Sequence, residues 1–192
     1  MLLRQGKRSL KQRLDNLRDE EVEIMNNELS KVIKIIKNAL KSKNSNISFG
    51  IIEDGITEDV FNNNQELIGD SYQKIEQYME FVKEASGFSL GSIVLFEYQE
   101  IKEFQNLLDF LPDWQENWLC LGKIMSEPIG INKQDGNVYW FSEIPYDDKG
   151  LCFGSFDVFL EKFVFGQNYS EIIPGVDDDD WYQFMIKLGL VH

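Results

Sequence analysis

The fold of this chain is decided by residues 118–141, which read WLCLGKIMSEPIGINKQDGNVYWF. Runs of apolar, aromatic and β-branched residues predict three strands here, at Trp118–Ile124, Ile129–Lys133 and Val138–Phe141. Asp135-Gly136 separates the last two strands, and this dipeptide is typical of a type I′ turn, in which both central residues need positive φ. The stretch therefore predicts an antiparallel meander.

Helices are predicted on both sides of the meander. Upstream, apolar spacings of three and four predict helices over residues 72–86 and 99–109, with a strand at Ser92–Glu97 between them. Downstream, Leu151–Phe153 is predicted as an edge strand, and Phe156–Phe165 as an aromatic helix that Ser155 caps. We therefore expect an α+β protein with a mostly antiparallel sheet flanked by helices.

The N-terminal part of the chain differs in charge from the rest. Helical spacing of apolar residues covers residues 8–42, with a break expected near Arg18–Glu23. Residues 1–43 carry a net charge of +5, and the remainder carries −19, which gives −14 for the whole chain. We expect an N-terminal helical extension, residues 1–45, that packs on an α+β domain formed by residues 46–192.

The net charge and the lengths of the apolar runs argue against two classes of partner, nucleic acids and membranes. An acidic body repels nucleic-acid phosphate and attracts a basic partner, so no nucleic-acid ligand is expected. The apolar runs of this 192-residue chain are too short to cross a bilayer, so no membrane partner is expected either. The N-terminus lacks the apolar segment of a secretory signal, which favours the cytoplasm.

Few residues of this sequence are suited to catalysis or to metal binding. The one histidine, His192, is the last residue, which argues against a Ser/His/Asp triad and against zinc sites built on histidine. Cys120 and Cys152 lie among apolar neighbours and are expected to be reduced core residues. Glycine-rich phosphate loops are absent from the sequence, so we expect no catalytic residue, no cofactor and no metal.

Two groups of acidic residues could in principle have a chemical role, one in calcium binding and the other in catalysis. Asp177–Asp180 lacks the spacing of a calcium loop, and acids before a helix are favoured by its dipole, so this run is interpreted as helix capping. Asp113 and Glu116 flank Trp114, an arrangement that a glycosidase would use. Acids are so frequent in this chain that such a pair also arises by chance.

Tryptophans and acids near the meander are the candidates for partner binding. Trp114 and Trp118 lie four residues apart, Trp118 being expected inside the sheet and Trp114 near its entrance. A second aromatic residue beside acids occurs in the connection after the meander. The predicted partner-binding residues are Trp114, Glu116, Glu143, Tyr146, Asp147 and Asp148.

Several glycine-marked segments of the chain resemble a known superfamily. Ser86-Gly87-Phe88-Ser89-Leu90-Gly91, before the strand Ile93–Glu97, resembles the helix-to-strand step of the SUKH superfamily, although it lacks an Asn-Gly-Gly. The resemblance covers about residues 68–166, and the N-terminal helices are additional to it. The later segments that carry it are Trp118–Ile124, Pro128-Ile129-Gly130-Ile131, Asp135-Gly136-Asn137-Val138-Tyr139 and Ser155-Phe156-Asp157-Val158-Phe159-Leu160.

The resemblance implies an α+β domain without enzymatic activity. The superfamily includes bacterial immunity proteins and fungal cell-wall regulators of the Smi/Knr type. Its immunity proteins are typically encoded beside a polymorphic toxin, often a nuclease, which they neutralise by direct and tight binding. The superfamily does not share one fixed set of functional residues, so none is carried over to this chain.

We therefore expect a cytoplasmic immunity protein whose partner is a cognate protein toxin of basic character, for example a nuclease. One alternative is a regulatory adaptor or scaffold, as in the fungal relatives. Another is a nucleic-acid mimic, which would need carboxylates at phosphate-like spacing over one face. An enzyme would need a deep pocket with converging acids. The sequence leaves the oligomeric state open.

Overall fold

The computed structural model describes residues 29–41, 50–142 and 149–191. The chain divides into two compact units, Met1–Ala39 and Leu40–His192. Helix α1 covers residues 29–41, and Leu29, Ile33 and Ile36 on it are buried at helical spacing. The earlier part of the predicted helical stretch, with its expected break, lies outside the described residues.

A seven-stranded antiparallel sheet forms the centre of the second unit, and each strand pairs with the next along the chain. The predicted α+β class, an antiparallel meander flanked by helices, is confirmed. The observed meander has seven strands, whereas we expected three strands and an edge strand after them. The strands are β1 Gly50–Ile52, β2 Phe88–Leu90, β3 Ile93–Leu95, β4 Trp118–Ile124, β5 Glu127–Asn132, β6 Asn137–Trp140 and β7 Leu151–Ser155.

The bounds of β4 match the prediction, while the turn between β5 and β6 differs from it. The hairpin is present as predicted, and its four-residue loop, Lys133–Gly136, lies one residue earlier than the predicted strand bounds imply. Gly136 alone in this loop has positive φ, 75°, and its amide donates to the carbonyl oxygen of Asn132 at 2.8 Å. The predicted type I′ turn is therefore wrong, because Asp135 is not in the left-handed region that such a turn requires.

Helices surround the sheet, most of them short. Within the described ranges seven α-helices follow α1: α2 Glu58–Asn63, α3 Gln65–Ile68, α4 Glu76–Glu84, α5 Trp114–Asn117, α6 Phe156–Val158, α7 Tyr169–Ile172 and α8 Asp180–Leu188. A π-helical turn, Phe159–Val164, continues α6, and 3₁₀ helices cover Gly69–Ser71, Ile101–Leu108 and Val176–Asp178. The helix predicted over residues 72–86 is therefore shorter than expected, since α4 begins at Glu76. Among the described residues, no helix has the length and apolar character needed to cross a membrane.

Aromatic side chains join α4, α6 and α8 to the sheet. The ring of Phe156 on α6 lies 5.2 Å from that of Tyr78 and 5.3 Å from that of Phe81, both on α4. Phe81 in turn meets Phe88 of β2 edge to face at 6.1 Å. Trp181 of α8 is fully buried, and its indole nitrogen donates to the carbonyl oxygen of Val164. Burial of rings of this size stabilises the fold by roughly 2–3 kcal/mol each.

One residue of the acidic run, Asp179, caps α8, as the sequence predicted for this run. The carboxylate of Asp179 accepts a hydrogen bond from the amide of Tyr182 at 2.9 Å, the usual arrangement at a helix N-cap. It also accepts from the hydroxyl of Tyr169 at 2.9 Å, and that hydroxyl accepts from the amide of Ser92 in the β2–β3 turn. Asp179 therefore ties α7, α8 and the sheet together.

Candidate functional site

The candidate site begins with the 3₁₀ helix Ile101–Leu108, which Gln105 attaches to β4. The side-chain amide of Gln105 is buried, donates to the carbonyl oxygen of Cys120 at 3.2 Å and accepts from its amide at 2.9 Å. β3 ends at Leu95, so this part of β4 lacks a strand neighbour on that side, and Gln105 supplies the missing partner. These two bonds hold the helix against β4 and so position the residues that follow it.

Gln105 also accounts for the geometry of its own helix. Its side-chain NH₂ group donates to the carbonyl oxygen of Ile101 at 2.7 Å. In an α-helix the backbone N–H of Gln105 would bond this same oxygen. Neighbouring residues make the tighter i to i+3 bonds, such as Glu103 to Glu100. The α-helix predicted over residues 99–109 is therefore a 3₁₀ helix.

Five partly buried aromatic residues pack against one buried cluster near the end of this helix. We call four of them, Phe110, Trp114, Trp118 and Tyr139, the aromatic face; the fifth, Phe96, stacks on Phe104 instead. The ring of Trp118 meets that of Tyr139 edge to face at 5.2 Å. Beneath these residues lies a buried cluster of Leu108, Leu111, Cys120 and Phe141. The ring of Phe141 lies 5.4 Å from those of Trp118 and Phe110. The aromatic face is therefore supported from below by a packed core.

Asp113 directs Trp114 onto this surface. Its backbone is left-handed, with φ 49° and ψ 37°, a conformation that Asp adopts at lower cost than most residues. The carbonyl oxygen of Asp113 then accepts from the amides of Glu116 and Asn117, at 3.1 and 2.9 Å, which closes the single turn of α5. The turn places Trp114 against the buried cluster and leaves Glu116 exposed.

The β5–β6 loop holds α5 from the other side. The side chain of Lys133 is buried, and its ammonium donates to the carbonyl oxygens of Gln115 at 2.9 Å and Leu67 at 3.0 Å. The Lys133 amide also donates to the carbonyl oxygen of Asn117, and the side chain of Gln134 donates to that of Asn117. Burial lowers the pKa of Lys133, and the nearby charge of Glu116 opposes this shift. α5 is therefore fixed by several polar contacts.

Exposed acids lie next to residues of the aromatic face, either along the chain or through a hydrogen bond; we call Asp109, Asp113, Glu116 and Asp135 the acidic rim. Asp135 accepts from the hydroxyl of Tyr139 and from the amide of Asn137, both at 2.8 Å, which orients the tyrosine ring. Burial, followed by the hydrogen bond to Asp135, raises the pKa of Tyr139, which therefore stays a neutral donor at physiological pH.

The predicted partner-binding residues fall into two groups. Trp114 and Glu116 lie together on α5, one in the aromatic face and the other in the acidic rim. The other four, Glu143, Tyr146, Asp147 and Asp148, lie outside the described residues. After these four residues the chain is described again, and at Gly150 a β-carbon would lie 2.8 Å from the ring of Phe141.

Sequence reasoning missed three contributors to this site. Tyr139 could have been predicted, because side chains alternate along a strand. Val138 and Trp140 on either side of it are buried, so Tyr139 points to the opposite side of β6. Phe110 and Lys133 could not have been predicted from the sequence, because their positions depend on a 3₁₀ helix and a four-residue loop. Trp118, expected inside the sheet, is only partly buried.

The two cysteines have different environments. Cys120 is buried as predicted, and burial raises the pKa of its thiol to about 12, which makes it unreactive. Cys152 on β7 is exposed, so the prediction of a core position for it is wrong. The reason is that β7 is the last strand of the sheet. In the described part of the chain, no group of three or more His, Cys, Asp or Glu residues could hold a metal ion.

Comparison with known proteins does not assign the chain to a family. No protein-family model matches the sequence, and no curated protein matches it.

Proposed function

We propose that this protein is a non-enzymatic binding domain of the SUKH immunity type, which neutralises a cognate toxin by covering its basic active site. The observation that carries the proposal is the aromatic face within its acidic rim. The resemblance described above supplies the class of partner. The α+β meander is compatible with the domain that the resemblance implies.

The aromatic face has the properties of an interface centre. Trp and Tyr dominate the binding energy of many protein interfaces, where single residues contribute about 2 kcal/mol or more. Rings held in place by a packed cluster lose little conformational freedom on binding, so more of their contact energy contributes to affinity. Trp118 and Tyr139 are held in this way by Phe141 and Asp135.

The acidic rim suits a basic partner. Between residues 97 and 118 the chain has six acids and one lysine, Lys102, which already pairs with Glu66. Rim charges of one sign accelerate encounter with a partner of the opposite sign and add less to the final affinity than the central contacts do. We therefore assign recognition to the aromatic residues and steering to the carboxylates.

The position of the carboxylates favours binding over the glycosidase alternative. A catalytic acid is typically enclosed in an apolar site that raises its pKa. Asp113 and Glu116 are both exposed, and Trp114 packs against the buried cluster beside them. This arrangement presents a surface rather than an enclosed pocket.

Co-expression with the protein encoded by the adjacent reading frame tests the proposal. Growth should be restored by the native chain, weakly by a Trp114→Ala, Glu116→Lys double variant, and fully by Ile186→Ala. The last variant removes an exposed apolar side chain on α8, outside the aromatic face. Cells that die as fast as an empty-vector control would contradict immunity. Affinity capture that recovers housekeeping enzymes instead of a toxin would favour the adaptor alternative.

A further inference from the structure

A second candidate site lies between α2 and α4 and shares no residue with the aromatic face. It is a cavity of about 350 Å³ lined by Ile56, Thr57, Glu58, Phe61, Tyr72 and Lys83. A volume of this order suits a small organic group or one large side chain, since ligand pockets begin at about 300 Å³.

The chain's own lysine already makes cation contacts in this cavity. The Lys83 ammonium lies 2.5 Å from a carboxylate oxygen of Glu80 and 6.0 Å from the centre of the Phe61 ring. The hydrogen bond to Glu80 raises the pKa of Lys83, so the lysine is fully charged at neutral pH. An aromatic ring and a carboxylate that together hold a cation form a recognised type of cation site.

The aromatic wall of the cavity is fixed in place. Phe61 stacks on Tyr98 at 6.0 Å and meets Tyr72 edge to face at 6.2 Å. The hydroxyl of Tyr98, which is buried, donates to the carbonyl oxygen of Phe61 at 3.1 Å. Phe61 therefore offers a ring whose position does not depend on a ligand.

The charge of the cavity leaves room for a second cation. Glu58 lies in the first turn of α2 and lines the cavity, while Glu80 is paired with Lys83 and also accepts from the hydroxyl of Tyr72 at 3.3 Å. Glu80 is not itself a lining residue, but it bonds two residues that are, Lys83 and Tyr72. With Glu58 in the lining and Glu80 beside it, the neighbourhood of the cavity has two carboxylates and one lysine, an excess of negative charge. Lys83 is exposed, and an exposed pair of this kind contributes only about 0.2–1 kcal/mol, so it can be displaced.

We propose that this cavity binds a guanidinium group, which displaces Lys83 from Glu80, stacks on Phe61 and reaches Glu58. A guanidinium gains more here than another ammonium would, because it is planar, stacks on aromatic rings and binds carboxylates through two parallel N–H bonds. This proposal stands independently of the proposed immunity function, since it uses none of the residues of the aromatic face.

Titration with n-butylguanidinium, followed by amide chemical shifts, tests the proposal, with n-butylurea as the neutral analogue. The guanidinium should shift the amides of α2 and α4 with millimolar affinity, and the urea should not. Glu80→Gln should weaken binding by up to about fivefold, because it removes a carboxylate and leaves Lys83 unpaired. Lys83→Met should strengthen it, because both Glu80 and the Phe61 ring become free.

A matched pair of variants separates the site from general charge. Glu58 and Asp59 are exposed neighbours in the first turn of α2, but Glu58 lines the cavity and Asp59 is not among its lining residues. Glu58→Gln should weaken binding and Asp59→Asn should leave it unchanged. Equal effects of the two, or a Lys83→Met variant that binds no better than the native chain, would overturn the proposal. Titration with a capped arginine, N-acetyl-arginine methylamide, distinguishes the two sources of the group. Tighter binding of the capped arginine than of n-butylguanidinium indicates the side chain of a partner protein, and weaker binding indicates a free compound.

Discussion

Asp157 is an acid that the fold buries at the start of α6. Its side chain is 2 % exposed, and its Oδ2 atom has no hydrogen-bond partner among the described residues. Burial, followed by repulsion from Glu161 one turn later, raises the pKa of Asp157 to about 6. The charged form is therefore disfavoured in the folded protein relative to the unfolded chain.

This pKa predicts a loss of stability as the pH rises. Because the folded pKa lies above the ordinary 3.8, the unfolded chain ionises first, and the free energy of unfolding falls by about 3 kcal/mol between the two values. Asp157→Asn should therefore match the native chain below pH 3.8 and exceed its stability at neutral pH. Urea denaturation across this pH range measures the difference. The exposed Asp178→Asn is the control, and an Asp157→Asn variant with no advantage at neutral pH would contradict the prediction.

Trp114 is the residue on which the proposed interface most depends. Trp114→Ala should weaken binding of the partner by about 30-fold, which corresponds to about 2 kcal/mol. Trp114→Phe keeps an aromatic ring on the buried cluster and should lose much less. Calorimetric titration with the partner gives both values, and thermal denaturation of each variant shows whether the fold is retained. Full affinity in a folded Trp114→Ala variant would remove this residue from the interface.

At the level of elements, Gln105 connects the 3₁₀ helix to β4. Gln105→Leu keeps a similar volume but leaves the buried amide and carbonyl of Cys120 without the bonds that Gln105 makes. Since each unsatisfied buried group costs about 1–3 kcal/mol, the variant should be less stable by about 2–4 kcal/mol. Hydrogen exchange at the Cys120 amide should accelerate by more than exchange in α8 does. Asn106→Ala, one residue along and exposed, serves as the control.

The sequence predicts those elements whose signals are local. β4 has the predicted bounds, and Ser155 caps α6 by accepting from the amide of Val158, because a strand of large apolar residues and an N-cap serine both act over short distances. β2 escaped prediction, since its three residues pair with β1 and β3 around the left-handed Gly91. The 3₁₀ geometry of Ile101–Leu108 was not predicted either, because the apolar spacing gives no sign that the Gln105 side chain bonds the carbonyl oxygen of Ile101.

The candidate site shows the same division. Trp114 and Glu116 were found from composition alone, as a large aromatic residue beside an acid after a proline. Phe110 and Tyr139, which pack against the same buried cluster as Trp114, come from segments separated by almost thirty residues of chain, so local sequence does not reveal that they belong together. Lys133 illustrates the limit, because a lysine in a polar turn gives no sign that it will be buried beneath α5.

At the scale of the whole molecule, charge separates the two parts of the chain. Residues 1–43 carry +5 and the remainder carries −19. A net charge of this size creates a field that extends over about one Debye length, roughly 10 Å at 0.1 M salt, and so acts on encounter more than on contact. The field alone does not select a docking surface, and the aromatic face supplies that selection in the proposed complex.

The rate of association with a basic partner should therefore depend strongly on salt. Between 20 mM and 500 mM sodium chloride the association rate constant should fall at least about tenfold, while the dissociation rate constant changes little, because screening acts on separated charges. Stopped-flow tryptophan fluorescence measures both rate constants. A double variant, Asp113→Asn with Glu116→Gln, should flatten the salt dependence more than Asp177→Asn with Asp178→Asn. Both pairs remove the same net charge from exposed positions, so only the location of the charge differs. Equal slopes would show that the partner approaches a surface other than the acidic rim.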